Sequence, residues 1–390
     1  GKRGFAPGPS FVMRSLLVRF MPPACLHRTL VCLIVLLVVA PAETSAQPLS
    51  APLDSLGRML TDGHPGGVVI GIVANGERTA RGYGAVDSSG TTPTEETIFE
   101  IGSVTKTFTG LLLADAVERG HVRAEDSLRA FLPDSVALAS TAAPITLAHL
   151  ATHRSGLPRL PSNLTASALA NPKDPYANYH THDLYACLDG YRPPHPPDTA
   201  YAYSNLGMGL LDHALARRAD TSYAALVRDR IAAPLGLPDT RIRLTPAQQA
   251  RFAQGHDASG RPTPPWHFPT LAGAGALRST ASDLLTYLSA HLAASDTSSL
   301  GRALQRATAL HGATDRPRTT LGYGWHRSTR NGQTVVWHNG GTGGFGSFVA
   351  FNQATRQGVV ILAGAAIAAD VTKAGFELMD RLRARTSAQP

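Results

Sequence analysis

Lysine is nearly absent from this chain, and cysteine is scarcer still. Among 390 residues the only lysines are Lys2, Lys106, Lys173 and Lys373, so positive charge is left almost wholly to arginine. Cys25 and Cys32 fall in an N-terminal leader, which leaves Cys187 alone in the mature chain. One thiol excludes an intramolecular disulfide, and no His or Asn arrangement around it marks a nucleophile. Dense Lys/Arg runs with interleaved aromatics are missing after the leader, so no nucleic-acid partner is expected. No G-x-S-x-G elbow occurs, which argues against an α/β-hydrolase fold. No G-x-x-x-x-G-K-[ST] loop occurs either. The glycine-rich run Gly340 to Gly346 joins two predicted strands instead of opening a helix, so it makes a poor phosphate cradle. The longest apolar run, Leu30 to Ala40, is short for a transmembrane helix.

That run has another reading. Arg14, Arg19 and Arg28 precede it, and Pro41-Ala42-Glu43-Thr44-Ser45-Ala46 supplies small residues suited to cleavage after Ala46. Residues 1–46 are read as a signal peptide with upstream residues, with Met13 as the initiator. The mature protein is then expected to be periplasmic or secreted, with no stable membrane span. Lys2, Arg3, Arg14, Arg19 and Arg28 against Glu43 put half of the net charge of +8 in the leader. The mature chain is mildly basic, and the sequence has the apolar (43%) and charged (16%) content of a globular protein.

Gly67 to Val73 is apolar and β-rich, and Asn75-Gly76 signals a tight hairpin with Arg78 to Val86 returning. A helix is predicted from Ser103 to Gly120, because Val104, Phe108, Leu111, Leu112 and Val117 recur at helical spacing. Leu147 to Thr152, Leu206 to Arg217, Tyr223 to Ile231 and Ala281 to Ala293 are further helix candidates. Thr280 and Asp283 are placed for a capping box on the last of them. Residues 157–200, rich in proline, read as an irregular loop lining a cleft. Strands return at Gln333 to Trp337, Gly346 to Phe351 and Gln357 to Leu362, and Asp370 to Arg383 closes the chain as a helix. A sheet is begun early, interrupted by a helical insertion and completed late.

The chemistry centres on Ser103-Val104-Thr105-Lys106. Residues three apart on a helix share a face, so an amine lies beside a hydroxyl. A serine is a weak nucleophile until its proton is drawn off, and a lysine shielded from water can lose its own proton and do this. Gly102 places Ser103 at the positive end of the helix dipole, near free N–H groups that suit a developing oxyanion. Two further patterns lie downstream. In Tyr203-Ser204-Asn205 a phenol can relay a proton and a carboxamide can bind a substrate amide. In His338-Asn339-Gly340, glycine lets a substrate lie against the strand edge, and the N–H of Gly341 offers a second oxyanion donor. Tyr176-Ala177-Asn178 and His64-Pro65-Gly66 fit the same triplets. Tyr176 is set aside because it lies in the Pro-rich stretch, and His64 because it precedes the nucleophile.

With these segments in order, the chain resembles the class C β-lactamase and D-Ala-D-Ala peptidase family of penicillin-recognising serine hydrolases. The likeness runs from about Leu53 to Leu382. Phe99 to Phe108 resembles the family's nucleophile segment, Leu150-Ala151-Thr152-His153-Arg154-Ser155-Gly156-Leu157-Pro158 its loop entry, Tyr203-Ser204-Asn205-Leu206-Gly207 its second motif and His338 to Phe345 its third. Pro234 to Leu237 and Ala276 to Leu284 resemble structural landmarks between them.

The resemblance implies an α+β, β-lactamase/transpeptidase-like fold: a five-stranded antiparallel sheet flanked by helices, beside an all-helical domain. Residues 47–105 and 321–390 would form the α/β domain and 106–320 the helical one, with the site between. Ser103, Lys106 and Tyr203 would be catalytic, and Asn205, His338, Gly340 and Gly341 would bind substrate. Class C β-lactamases usually carry Lys-Thr-Gly where this chain has His-Asn-Gly, and a histidine is mostly neutral near pH 7.

The expected function is an exported serine hydrolase acting through an acyl-serine on amide, lactam or ester bonds of a small molecule or peptide. A β-lactamase-like carboxylesterase and a penicillin-binding sensor without turnover share the same serine, lysine and tyrosine. No cofactor and no metal is expected. His149 and His153 have i, i+4 spacing without an adjacent Glu, and His180-Thr181-His182-Asp183 lacks the rest of a zinc signature.

Overall fold

Side chains alternate across a β-strand, and the central sheet is apolar on both faces because each face is covered. A computed structural model describes residues 50–138 and 143–387, within the compact unit Pro48–Pro390. The expected leader and cleavage site lie outside the described residues. The main sheet comprises β1 (Val68–Ala74), β2 (Glu77–Tyr83), β3 (Gly312–Ala313), β4 (Thr319–Leu321), β5 (His326–Arg330), β6 (Gln333–Gly341), β7 (Gly346–Asn352) and β8 (Gln357–Ala363). Their order is β2-β1-β8-β7-β6-β5-β4-β3, every pairing antiparallel.

The expected five strands are corrected to eight. Three short strands, β5, β4 and β3, extend the sheet beyond β6. They carry polar and half-exposed residues such as Arg327, Ser328 and Thr329, so no apolar alternation announces them. The other five match the predicted segments within a few residues. The β1–β2 turn is Asn75-Gly76, both at positive φ (52° and 87°), as a two-residue hairpin demands.

Val68, Ile70, Ile72, Phe348, Val359 and Ile361 pack on one face against α1 (Ser50–Thr61) and α5 (Ala368–Ser387). Val69, Val73, Val349, Val360 and Leu362 face the larger core with α2 (Thr105–Glu118), α3 (Asn205–Arg218) and α4 (Ala281–Leu292). Gly71 is needed here: a Cβ would stand 2.9 Å from Leu285 of α4.

Two local expectations change. The Pro-rich stretch contains short helices at Leu164–Ala170 and Thr181–Leu188. Thr280 caps α4 by accepting the Asp283 N–H, but the Asp283 carboxylate accepts from Asp239 N–H (2.9 Å) and Thr240 Oγ1 (2.8 Å) instead of closing the box.

Candidate active site

The nucleophile segment is held from three sides. Gly102–Val104 forms a single tight turn that leads into α2. Gly102 sits at φ +47°, and a Cβ there would meet the N and O of Gly341 at 2.8 Å. The Ile101 carbonyl accepts the Ser347 hydroxyl of β7 at 2.7 Å, while Ile101 N–H donates to Leu277 O at 3.1 Å. A Cβ on Gly340 would lie 2.1 Å from Ile101 O and 2.9 Å from Ser103 N. The space over Gly340 is thus filled by the nucleophile turn, which gives the glycine a packing role there. Pairing of β6 with β5 ends at Trp337–His326, so among the described residues no strand pairs with the backbone of Asn339 to Gly341 on that side.

Ser103 is half-buried, whereas Lys106 is 0% exposed. Lys106 Nζ donates to Ser103 Oγ at 2.9 Å and to Ala274 O at 2.6 Å. Burial, and secondarily the charge of Arg159, pushes its amine well below the ordinary lysine range. The turn carrying Ala274 is anchored: Asp212 of α3 accepts the Gly273 N–H, and Thr109 Oγ1 donates to Gly273 O at 2.8 Å. Burial pushes the Asp212 carboxyl well above the usual range. Asp212 also lines a cavity of about 660 Å³ with Tyr223, Trp266 and Phe268; Ser103, Lys106 and Tyr203 lie outside that cavity.

Tyr203 arrives on an extended segment just before α3. Lys106 Nζ lies 5.0 Å from its ring centroid. Burial raises the phenol, which the nearby Ser103 hydroxyl opposes. The segment is fixed because His153 O accepts Ala202 N–H (2.8 Å) and His153 Nδ1 accepts Ser204 N–H (3.2 Å). His153 is itself at φ +56°. The Ser204 hydroxyl accepts the Gly207 N–H (2.8 Å), which starts α3. Asn205 Nδ2 donates to Tyr176 OH at 3.0 Å, leaving Oδ1 buried and unpartnered.

Three imidazoles surround Tyr203, with ring centroids at 4.5 Å (His153), 6.3 Å (His338) and 6.4 Å (His326). His338 is 0% exposed, its Nδ1 lies 2.6 Å from Asn339 O, and Nε2 has no partner. Burial pushes His153 and His338 well below the ordinary histidine range, and His326 down to about 4. A depressed folded pKa costs stability as pH falls, because the unfolded chain takes the proton first. The stability of His326→Gln relative to the parent is therefore expected to rise by about 1.4 kcal/mol per pH unit from about 6.5 down to about 4. Urea midpoints of the two proteins across that range check it; parallel curves would count against a neutral buried ring.

The structure brings Ser103, Lys106, Tyr203, Gly340 and Gly341 together, with Asn205 on the adjoining wall and His338 behind Tyr203. Sequence reasoning missed Ala274 and Arg159 and set Tyr176 aside. A backbone carbonyl carries no side-chain signal, and Tyr176 lay in the stretch read as irregular. It stacks on Phe268 (centroids 4.5 Å apart) and meets Asn205. His149 is occupied as a helix cap, its Nδ1 accepting Thr146 N–H at 3.2 Å. No cluster of three or more His, Cys, Asp or Glu suited to a metal occurs among the described residues.

A family model described as Beta-lactamase matches residues 53–378. The chain is 28% identical over 331 residues to a Beta-lactamase of Pseudomonas fluorescens, covering 76% of this chain and 88% of that one. It is 26% identical over 298 residues to the D-alanyl-D-alanine-carboxypeptidase/endopeptidase AmpH of Escherichia coli strain K12, covering 73% and 75%. The crystal structure of a class C β-lactamase from Rhodobacter sphaeroides superposes with a TM-score of 0.72 at 26% identity, over 86% of this chain and 99% of that one.

Proposed function

The chain belongs to the Beta-lactamase family of serine hydrolases, within its class C β-lactamase and D-Ala-D-Ala carboxypeptidase group, and on that premise we propose that it is an exported enzyme cleaving amide, lactam or ester bonds through an acyl-serine. One observation carries the reading: the Ser103 hydroxyl lies 2.9 Å from a wholly buried amine that burial pushes well below the ordinary lysine range.

Lys106 takes the Ser103 proton as Oγ bonds to the carbonyl carbon. The carbonyl electron pair moves onto oxygen, held by the N–H groups of Ser103 and Gly341. The proton passes through Lys106 and Tyr203 to the leaving nitrogen or oxygen, and the bond to carbon breaks. Water then attacks the ester and returns the hydroxyl to Ser103. Asn205 Oδ1, unpartnered in its wall, is placed to accept a substrate N–H. Substrate, a small molecule or peptide, would enter between the sheet part, expected as 47–105 and 321–390 but joined by β3 and β4, and the helical part that precedes them. Export rests on the arginine-led apolar leader. Among the described residues no helix is long and apolar enough to cross a membrane.

A second reading, a carboxylesterase, is favoured by His338: buried and uncharged, it puts no cation where class C enzymes usually carry lysine. Incubation with a chromogenic cephalosporin, a short acyl ester and a D-Ala-D-Ala peptide, each followed by intact mass, tests both. Turnover of the cephalosporin or peptide supports the first, turnover of the ester alone the second. A lasting adduct without turnover identifies a sensor, and no adduct or turnover with any of the three removes the acyl-serine reading.

A further inference from the structure

The cleft holds an exposed cation that the chemistry above does not use. Lys106 is fully buried with its amine pushed well below the ordinary lysine range, and His338 is fully buried and pushed below the ordinary histidine range. Arg159 differs from both. Its side chain is exposed, and its guanidinium carbon lies 5.1 Å from the Tyr203 ring centroid. Its backbone is fixed, because its carbonyl accepts the N–H groups of Asn205 (2.9 Å) and Leu206 (3.3 Å) at the start of α3. The guanidinium is therefore mounted on the wall that carries Asn205.

No carboxylate among the described residues pairs with it. The acids of that wall are committed elsewhere: Asp198 to Arg154 at 2.6 Å, Asp174 to His267 at 2.6 Å. The charge of Arg159 is nevertheless felt across the site, at Lys106, Tyr203, Tyr176 and His153. An exposed guanidinium with no paired carboxylate, held over an aromatic ring, can receive a planar anion through its fork of N–H donors.

We propose that Arg159 binds a carboxylate carried by the acyl portion of the substrate, so that the preferred acyl donors are anionic. The acyl side is assigned on the further premise that the substrate N–H received by Asn205 belongs to the acyl portion, because Asn205 shares its wall with Arg159. This inference rests on that reading, with Ser103 as the acylated residue. The anion is then selected by a side chain next to the second motif, and the third motif needs no charge.

The test uses two esters of one leaving group and similar acyl length: the p-nitrophenyl half-ester of glutaric acid, whose acyl chain ends in a carboxylate, and p-nitrophenyl valerate. Removing the Arg159 charge also acts on Lys106, but that effect shifts the acid limb of both esters alike and cancels in their ratio. In Arg159→Ala the glutarate-to-valerate ratio of kcat/KM falls about tenfold, the factor for loss of one such ionic contact, with the change in KM. Arg159→Glu lowers it further, and Arg159→Lys restores part of it. Equal ratios in all four proteins overturn the proposal.

A binding arm separates this result from failure of the acyl-serine reading. Calorimetric titration of Ser103→Ala with monomethyl glutarate gives binding that Arg159→Ala weakens about tenfold in the same background. If wild type hydrolyses neither ester yet this difference appears, the catalytic reading falls and the anion site stands. If neither background binds the half-ester, or both bind it equally, the anion site falls.

Discussion

Ser103→Ala is expected to abolish every covalent adduct and to lower kcat by about 10⁴-fold or more on whichever substrate the enzyme turns over. The hydroxyl accepts from the Lys106 amine, so its loss removes the attacking atom while leaving a cavity smaller than a water beside intact neighbours. Overall stability should change little, because the turn is fixed by Ile101, Gly102 and Gly340 and not by the serine side chain. Intact mass after incubation with a slowly hydrolysed lactam or ester reads the first effect, and thermal melting the second. An adduct that survives the substitution would move the nucleophile elsewhere.

Lys106→Met should separate activity from stability. Activity drops about 10²–10⁴-fold, the usual contribution of a positioned proton acceptor. Stability moves the other way at neutral pH. The native lysine gives up its proton far below the unfolded value, so between those two values the unfolded chain binds more protons and wild-type stability rises with pH. Each pH unit in that window is worth about 1.4 kcal/mol. The variant escapes this cost but orphans Ala274 O, at about 1–3 kcal/mol. The first effect dominates at pH 7 and vanishes near pH 10.5, where the orphaned carbonyl remains. The variant should therefore be more stable than wild type at pH 7 and less stable above about pH 10. Urea unfolding at both pH values checks it, and a variant weaker at pH 7 would mean that Lys106 is charged in the folded state.

The site's centre was legible because its signals are local. S-x-x-K needs only one helical turn, and Gly102 and Gly340 are explained by contacts that any larger residue would break. The five long strands were legible through their apolar runs, while β3 to β5 were not, since an edge meander of arginine, serine and threonine looks like loop. Asp283 shows a different limit. Its spacing from Thr280 fits a cap, yet a tertiary partner, Thr240, outcompetes the local bond. Arg159 and Tyr176 join the site only through folding: their neighbours Tyr203, Asn205 and Phe268 are distant in sequence.

The Ser347–Ile101 bond and the close fit of Gly340 under the nucleophile turn lock one jaw of the cleft to the sheet. The opposite jaw, from Leu157 to Pro197, hangs on short helices and proline-rich connections. Under the proposed acyl-serine mechanism, bulky acyl groups would therefore be accommodated by that second jaw. Engineering for new substrates should insert, shorten or reshape residues there and leave the strand-backed side untouched.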